Sequence, residues 1–214
     1  TDVMGKKHYA MIGGTYTYEN HSDLQTRSVE ARAQGVHTLG EKILDTNLSD
    51  IDSYSYGGPQ FAYSNGPLFT AGEYYFVNAS RITNSADDLK TYDDYNANGG
   101  SIFAHYFLTG GAHVALKPAK GSISGVKCKA AMGCTAAKVM FEFANFASDE
   151  ASENATDAKV VHIGLNHYFN SNVRLMFDVA RGLYQGGTGM STDAMGTNVT
   201  HNMTSVQTRL HLKF

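Results

Sequence analysis

The chain has 214 residues, among them 22 Gly, 13 Tyr and 11 Phe but only 3 Pro and no Trp, with a formal charge of -3. No apolar run approaches the roughly 18 residues that a membrane-spanning helix needs, and no 3.6-residue stripe persists, which excludes an all-α fold. The net negative charge argues against a general nucleic-acid binder.

Strand-like stretches alternate with turn-rich ones along the whole chain. They fall at about 7–18, 27–37, 54–64, 68–82, 97–108, 137–147, 158–169, 172–183 and 203–214. No composition break divides them, so residues 1–214 read as a single domain. Several carry two unlike faces. Thr70, Gly72, Tyr74 and Phe76 oppose Glu73, Tyr75 and Arg81, and Val139, Phe141 and Phe143 oppose Lys138 and Glu142. Val161, Ile163, Leu165 and Phe169 oppose His162, Gly164, Asn166 and Tyr168, while Val173, Leu175, Phe177 and Val179 oppose Arg174, Met176 and Asp178. The faces of 54–64 and 97–108 are ambiguous.

The last stretch is the clearest. Val206, Thr208, Leu210, Leu212 and Phe214 alternate with Ser205, Gln207, Arg209, His211 and Lys213 up to the final residue. Such a strand suits an antiparallel outer-membrane β-barrel, in which one face meets lipid, the other a wet lumen, and an aromatic sits at the interface. An edge strand of a soluble sandwich is the competing reading.

The connections are of two kinds. Ser64-Asn65-Gly66-Pro67 and Asn170-Ser171-Asn172 read as tight turns. The segments 38–53, 83–96, 148–157 and 184–202 are long and polar. They hold most of the acids: Asp45, Asp50, Asp52, Asp87, Asp88, Asp93, Asp94, Asp149, Glu150, Glu153 and Asp157. Tight turns belong on the periplasmic side and long loops outside. The segment 109–136 breaks that rule, and GAHVALKP within it suggests a short folded-back strand. Nine crossings with Phe214 in the periplasm would leave the amino end outside, against the even strand numbers of bacterial barrels. The expectation is a chain of nine or ten strands forming the carboxyl-terminal portion of a larger barrel.

Cys128 and Cys134 frame CKAAMGC, close enough for a local disulfide in an oxidising periplasm, with two idle thiols as the alternative. No further soft ligand stands near them, so no metal site is expected, and nothing calls for a cofactor.

VHIGLNHYFNSNVRLMFDVARG (161–182) resembles the penultimate hairpin of the phosphate-selective porin O and P family. NGPLFTAGEYYFVNASR, GGSIFAHYFLTGG, AAKVMFEFANFASD and SVQTRLHLKF are similar to further strands of that family, in family order. His167 departs from the usual aromatic, and the cysteine-bearing insert is unfamiliar. The resemblance implies a homotrimeric porin of roughly sixteen strands per barrel in the bacterial outer membrane, in contact with lipid and lipopolysaccharide and conducting anions or other small solutes. It also implies that the terminal strand, with Leu210, Leu212 and Phe214, is read by the barrel-assembly machinery. The family's phosphate-selecting constriction lies mostly in the other half, so phosphate specificity is not carried over.

With these faces, the inward set comprises Lys7, Arg32, Arg81, Lys138, Arg174, Arg209 and Lys213 against Glu30, Glu73, Glu142 and Asp178. Such a lining favours anions if the charges face water, and braces the wall if they pair between strands. Tyr9, Tyr16, Tyr18, Tyr74, Tyr106, Tyr168 and Phe214 are candidates for interfacial girdles, with Tyr168 also able to pack inside. No nucleophile elbow or zinc-binding helix occurs. His162 and His167 are the nearest candidates for an outer-wall hydrolase site, and no serine commends itself beside them. The readings are a passive porin, a plugged structural or adhesive barrel, or a soluble β-sandwich binding module.

Overall fold

The computed structural model describes residues 2–3, 6–32, 42–81, 94–117, 122–147, 157–185 and 201–213. All regular structure among them is β: β1 (Asp2–Val3), β2 (Lys6–Arg32), β3 (Lys42–Asn65), β4 (Leu68–Arg81), β5 (Tyr95–Phe107), β6 (His113–Lys117), β7 (Ser122–Lys127), β8 (Cys134–Ala147), β9 (Asp157–Tyr168), β10 (Val173–Gln185) and β11 (His201–Leu212). Nine of these form one antiparallel sheet in the order β1-β2-β3-β4-β5-β8-β9-β10-β11, and β6 and β7 form a separate hairpin. The sheet is open among the described residues, with β1 at one edge and β11 at the other.

The expected strand 7–18 and the described part of 27–37, residues 27–32, belong to one strand, and 33–37 lie outside the described residues. Residues 19–26 (ENHSDLQT) are polar enough to read as a turn, yet they continue β2, which is 27 residues long. Pairing with β3 passes from Asn20↔Ser53 to Gln25↔Ile51, so the extra residues of β2 form a bulge there, and the ladder resumes at Arg27. The segment 38–53 is likewise not a loop from Lys42 onward, so Asp45, Asp50 and Asp52 lie in β3. Among the described residues the sheet has nine strands, as expected, but they are divided otherwise: eight are long and the ninth is the two-residue β1, so nine full crossings and the parity argument built on them do not follow. The start of β2 and the end of β11 lie at the same end as the tight turns.

Those turns are built as their residues require. Asn65 pairs with Leu68, leaving Gly66 and Pro67 as the two central residues, with Gly66 at φ 54°. Positive φ at the first position and a fixed negative one at Pro67 suit a hairpin turn that follows the strand twist. In the β9–β10 turn, Asn170 Oδ1 accepts hydrogen bonds from the Asn172 and Val173 amides at 2.8 and 2.9 Å.

The hairpin β6–β7 leaves the sheet after β5 and folds back over one face, as the GAHVALKP segment suggests. Ser64 Oγ donates to the Val114 carbonyl at 2.9 Å. Ala112 and Val114 pack with Ala62, Phe69, Phe107, Ala136 and Tyr168, with Val126 against the same cluster. We call the covered face inner. The return arm is anchored by a Cys128–Cys134 disulfide at the root of β8 (Cα–Cα 5.7 Å) and by the Lys129 amide donating to the Gly110 carbonyl at 3.0 Å.

Candidate channel wall

Period-two geometry sends alternate residues of every strand to opposite faces, and here the faces differ in chemistry. On the outer face stand Ile12, Tyr16, Phe61, Ile102, Val139, Phe141, Ile163, Leu165, Leu175, Phe177, Val206 and Leu210, all exposed. Ile12 is 86% accessible and Ile163 and Val206 are 64%. The apolar stretch of β10 runs to Val179 and is interrupted by exposed Arg181, with Leu183 beyond it, and that of β9 stops at exposed Lys159. An apolar surface continuous over neighbouring strands and bounded by charge is what a barrel wall presents to lipid. Leu212 also lies exposed on this face, near the end of β11. Phe214 lies outside the described residues. Of the aromatic candidates, Tyr16, Tyr18, Tyr74 and Tyr106 face outward and are exposed, whereas Tyr9 and Tyr168 pack inward beneath the β6–β7 hairpin.

The inner face has three zones. At the tight-turn end it is apolar under the hairpin, with Arg174, His211 and Lys213 standing beside that cluster on β10 and at the end of β11. At the opposite end Ile51, Val77, Ala79, Tyr95, Val160 and Tyr184 form a second apolar cluster. Between them runs a polar belt. One row passes through Gly13, Gln60, Glu73, Ser101 and Glu142 on five successive strands. A neighbouring row passes through His105, Lys138, Gly164, Asp178 and Gln207.

Some charges of the belt pair within the wall. Lys138 and Asp178 flank Gly164 from either side, and their Nζ and Oδ1 atoms meet over it at 2.6 Å. Glycine is required there, since a Cβ at 164 would collide with the Asp178 carboxylate and the Phe177 carbonyl. His162 Nε2 lies 2.7 Å from Glu142 Oε2. Others do not pair with acids. Arg174 Nη2 lies 3.0 Å from His211 Nδ1, and its guanidinium sits 5.6 Å from the centre of the Tyr168 ring. Among the described residues Arg174, Arg209 and Lys213 have no carboxylate partner, while Glu73 is exposed on the same face.

Lys7, Glu30, Arg32 and Arg81 lie in β2 and β4, but their side chains fall outside the described residues. Most of the acids expected in long loops do too: Asp87, Asp88, Asp93, Asp149, Glu150 and Glu153. Asp157 instead opens β9 and accepts from Asn145 Nδ2 at 2.9 Å. His162 and His167 cannot form one site. His162 is buried on the inner face, while His167 faces the other way, with its Nδ1 2.9 Å from Thr135 Oγ1. Sequence reasoning missed His105 and Ser101 as members of the belt, and it placed His211 on the polar face of the last strand without counting it in the lining.

Compared with protein families, residues 11–214 match the model of the family described as phosphate-selective porin O and P. The search of curated proteins returned no match.

Proposed function

The chain belongs to the phosphate-selective porin O and P family, and from that premise we propose that it forms part of the wall of a water-filled outer-membrane channel with a preference for small anions. The family is one of channels rather than enzymes, and its members are bacterial outer-membrane porins. Passive diffusion needs only a lumen that water wets and an exterior that lipid accepts, and the two faces of this sheet divide in that way.

The observation that carries the anion preference is the state of the belt's charges. Asp178 is matched by Lys138, and the carboxylates left without a cationic Lys or Arg partner, Glu73 and Glu142, are outnumbered among the described residues by Arg174, Arg209 and Lys213. Fixed cations beside a low-dielectric wall raise the local concentration of anions. In this reading the tight-turn end, with its disulfide, faces the periplasm, the long connections face outward, and barrels associate as trimers. The assembly machinery reads the terminal strand of each.

The second reading, a narrow or plugged structural barrel, draws on the β6–β7 hairpin, which occupies inner-face space that an unobstructed porin would leave to water. Planar-bilayer recording separates the two. Ohmic single-channel steps are expected, and the double variant Arg174→Glu, Arg209→Glu should move the zero-current potential toward cations. A correctly folded protein without conductance would leave the plugged barrel standing in place of the porin.

A further inference from the structure

The β6–β7 hairpin does not lie flush on the wall everywhere. Between it and the inner side of β9–β11 is a cavity of about 300 Å³ at the tight-turn end. Its sides are chemically unlike. Arg174, His211 and Lys213 line one, next to the turn residues Asn170, Ser171 and Asn172. Val114 and Val126 of the hairpin, with Phe69 and Phe103, line the other. No carboxylate lines it among the described residues, and the Arg174 Nε is buried without a hydrogen-bond partner.

That asymmetry selects among anions. A small inorganic oxyanion is hydrated on every side, and seating it here would turn some of its oxygens toward valine and phenylalanine, where nothing replaces the lost water. Donors on all sides would suit it better. A carboxylate on an apolar body carries its charge at one end and dry surface at the other. Its head can accept from the Arg174 guanidinium, which presents a planar pair of donors, and from Lys213. Its body then covers the side chains of the hairpin and of β4–β5, removing apolar area from water.

We propose that this cavity is a binding site for monocarboxylates bearing an apolar body, such as aryl or branched-alkyl acids, with the carboxylate held by Arg174 and Lys213 and the body between Val114, Val126 and Phe103. It deepens the anion-channel reading and rests on it for access to the lumen. The hairpin, whose return arm is tied to the start of β8 by Cys128–Cys134, supplies the specificity through its apolar side rather than through charge.

The test is a ligand-observed NMR titration of benzoate, acetate, inorganic phosphate and benzyl alcohol against the folded full chain in detergent, with detergent alone as the blank. Benzoate should bind about tenfold tighter than acetate, which corresponds to ~1.4 kcal/mol. Phosphate should bind no better than acetate, and benzyl alcohol should not bind above the blank. Arg174→Gln should abolish benzoate binding. Val126→Ser should shrink the benzoate-to-acetate ratio. Equal affinities for benzoate and acetate, or tighter binding of phosphate, would overturn the proposal in the unmodified chain, independently of how the variants fold. The anion reading is judged separately, by the zero-current potential, so an anion-preferring channel that does not discriminate benzoate would sink this inference alone.

Discussion

Phe177 stands at the middle of the exposed apolar band, and replacing it by arginine tests the assignment of faces. Its neighbours across the sheet are Leu165 on β9 and Thr208 on β11. Both Val173 and Arg181 lie four positions away on β10. At about 3.4 Å per residue and a strand tilt of about 40°, each is about 10 Å away along the membrane normal. Phe177 is thus near the midplane of a band roughly 25 Å tall, where a lipid-facing Arg costs about 2–4 kcal/mol. That lowers the folding constant roughly thirty-fold to several hundred-fold. Gln207→Arg is the matched control, because Gln207 is the sequence neighbour of Thr208, at similar depth, but faces inward opposite Asp178. Its cost should stay within about 0.5 kcal/mol. Folded fractions in liposomes, read by heat-modifiable mobility across a denaturant series, give both numbers. Equal losses at the two positions, or a larger loss at Gln207, would refute the division of faces on which the account depends.

Gly164→Val should separate Lys138 from Asp178 and lower stability by roughly 1–3 kcal/mol through overpacking, seen in the same denaturant series; an unchanged midpoint would show that the close approach over Gly164 is relaxed in solution. Replacing Cys128 and Cys134 by serine should release the return arm of the hairpin, at a loop-closure cost of about 2 kcal/mol. Mass spectrometry should then find faster tryptic cleavage after Lys127 and Lys129, whereas cleavage at the original rate would mean that packing alone holds the arm. Deleting Phe214 should reduce the yield of heat-modifiable protein in the outer membrane sharply, and a wild-type yield would remove the terminal aromatic from the assembly signal.

How far the fold could be read depended on whether a strand's two faces differ in polarity. In β9, β10 and β11 they do, and Ile163, Phe177 and Val206 face outward as alternation requires. In β5 they do not: Ile102 and Tyr106 face outward, while Phe103 and Phe107 face inward under the β6–β7 hairpin. Their ambiguity in sequence has a physical source, since an inner wall covered by an apolar hairpin gains from phenylalanine on both sides. The merging of 7–18 with 27–32 was hidden for a different reason. The polar middle of β2 is an irregularity in the ladder, where pairing with β3 passes from Asn20 to Gln25 and then resumes, and long-range register rather than local polarity decides that. The belt was legible in residue type but not in pairing. Nothing local in the sequence says that Lys138 and Asp178 meet across Gly164 while Arg174 turns to His211 and Tyr168; that follows from strand register, which long-range pairing sets.

The central claim, a channel whose unmatched inner cations favour anions, is tested most directly by the zero-current potential of the assembled, unmodified protein in a planar bilayer under a salt gradient. The account predicts a potential on the anion-selective side near 0.01 M salt, where the Debye length is about 30 Å, collapsing toward zero near 1 M, where it is about 3 Å. A potential on the cation-selective side at low salt, or one that does not change with salt, would contradict it.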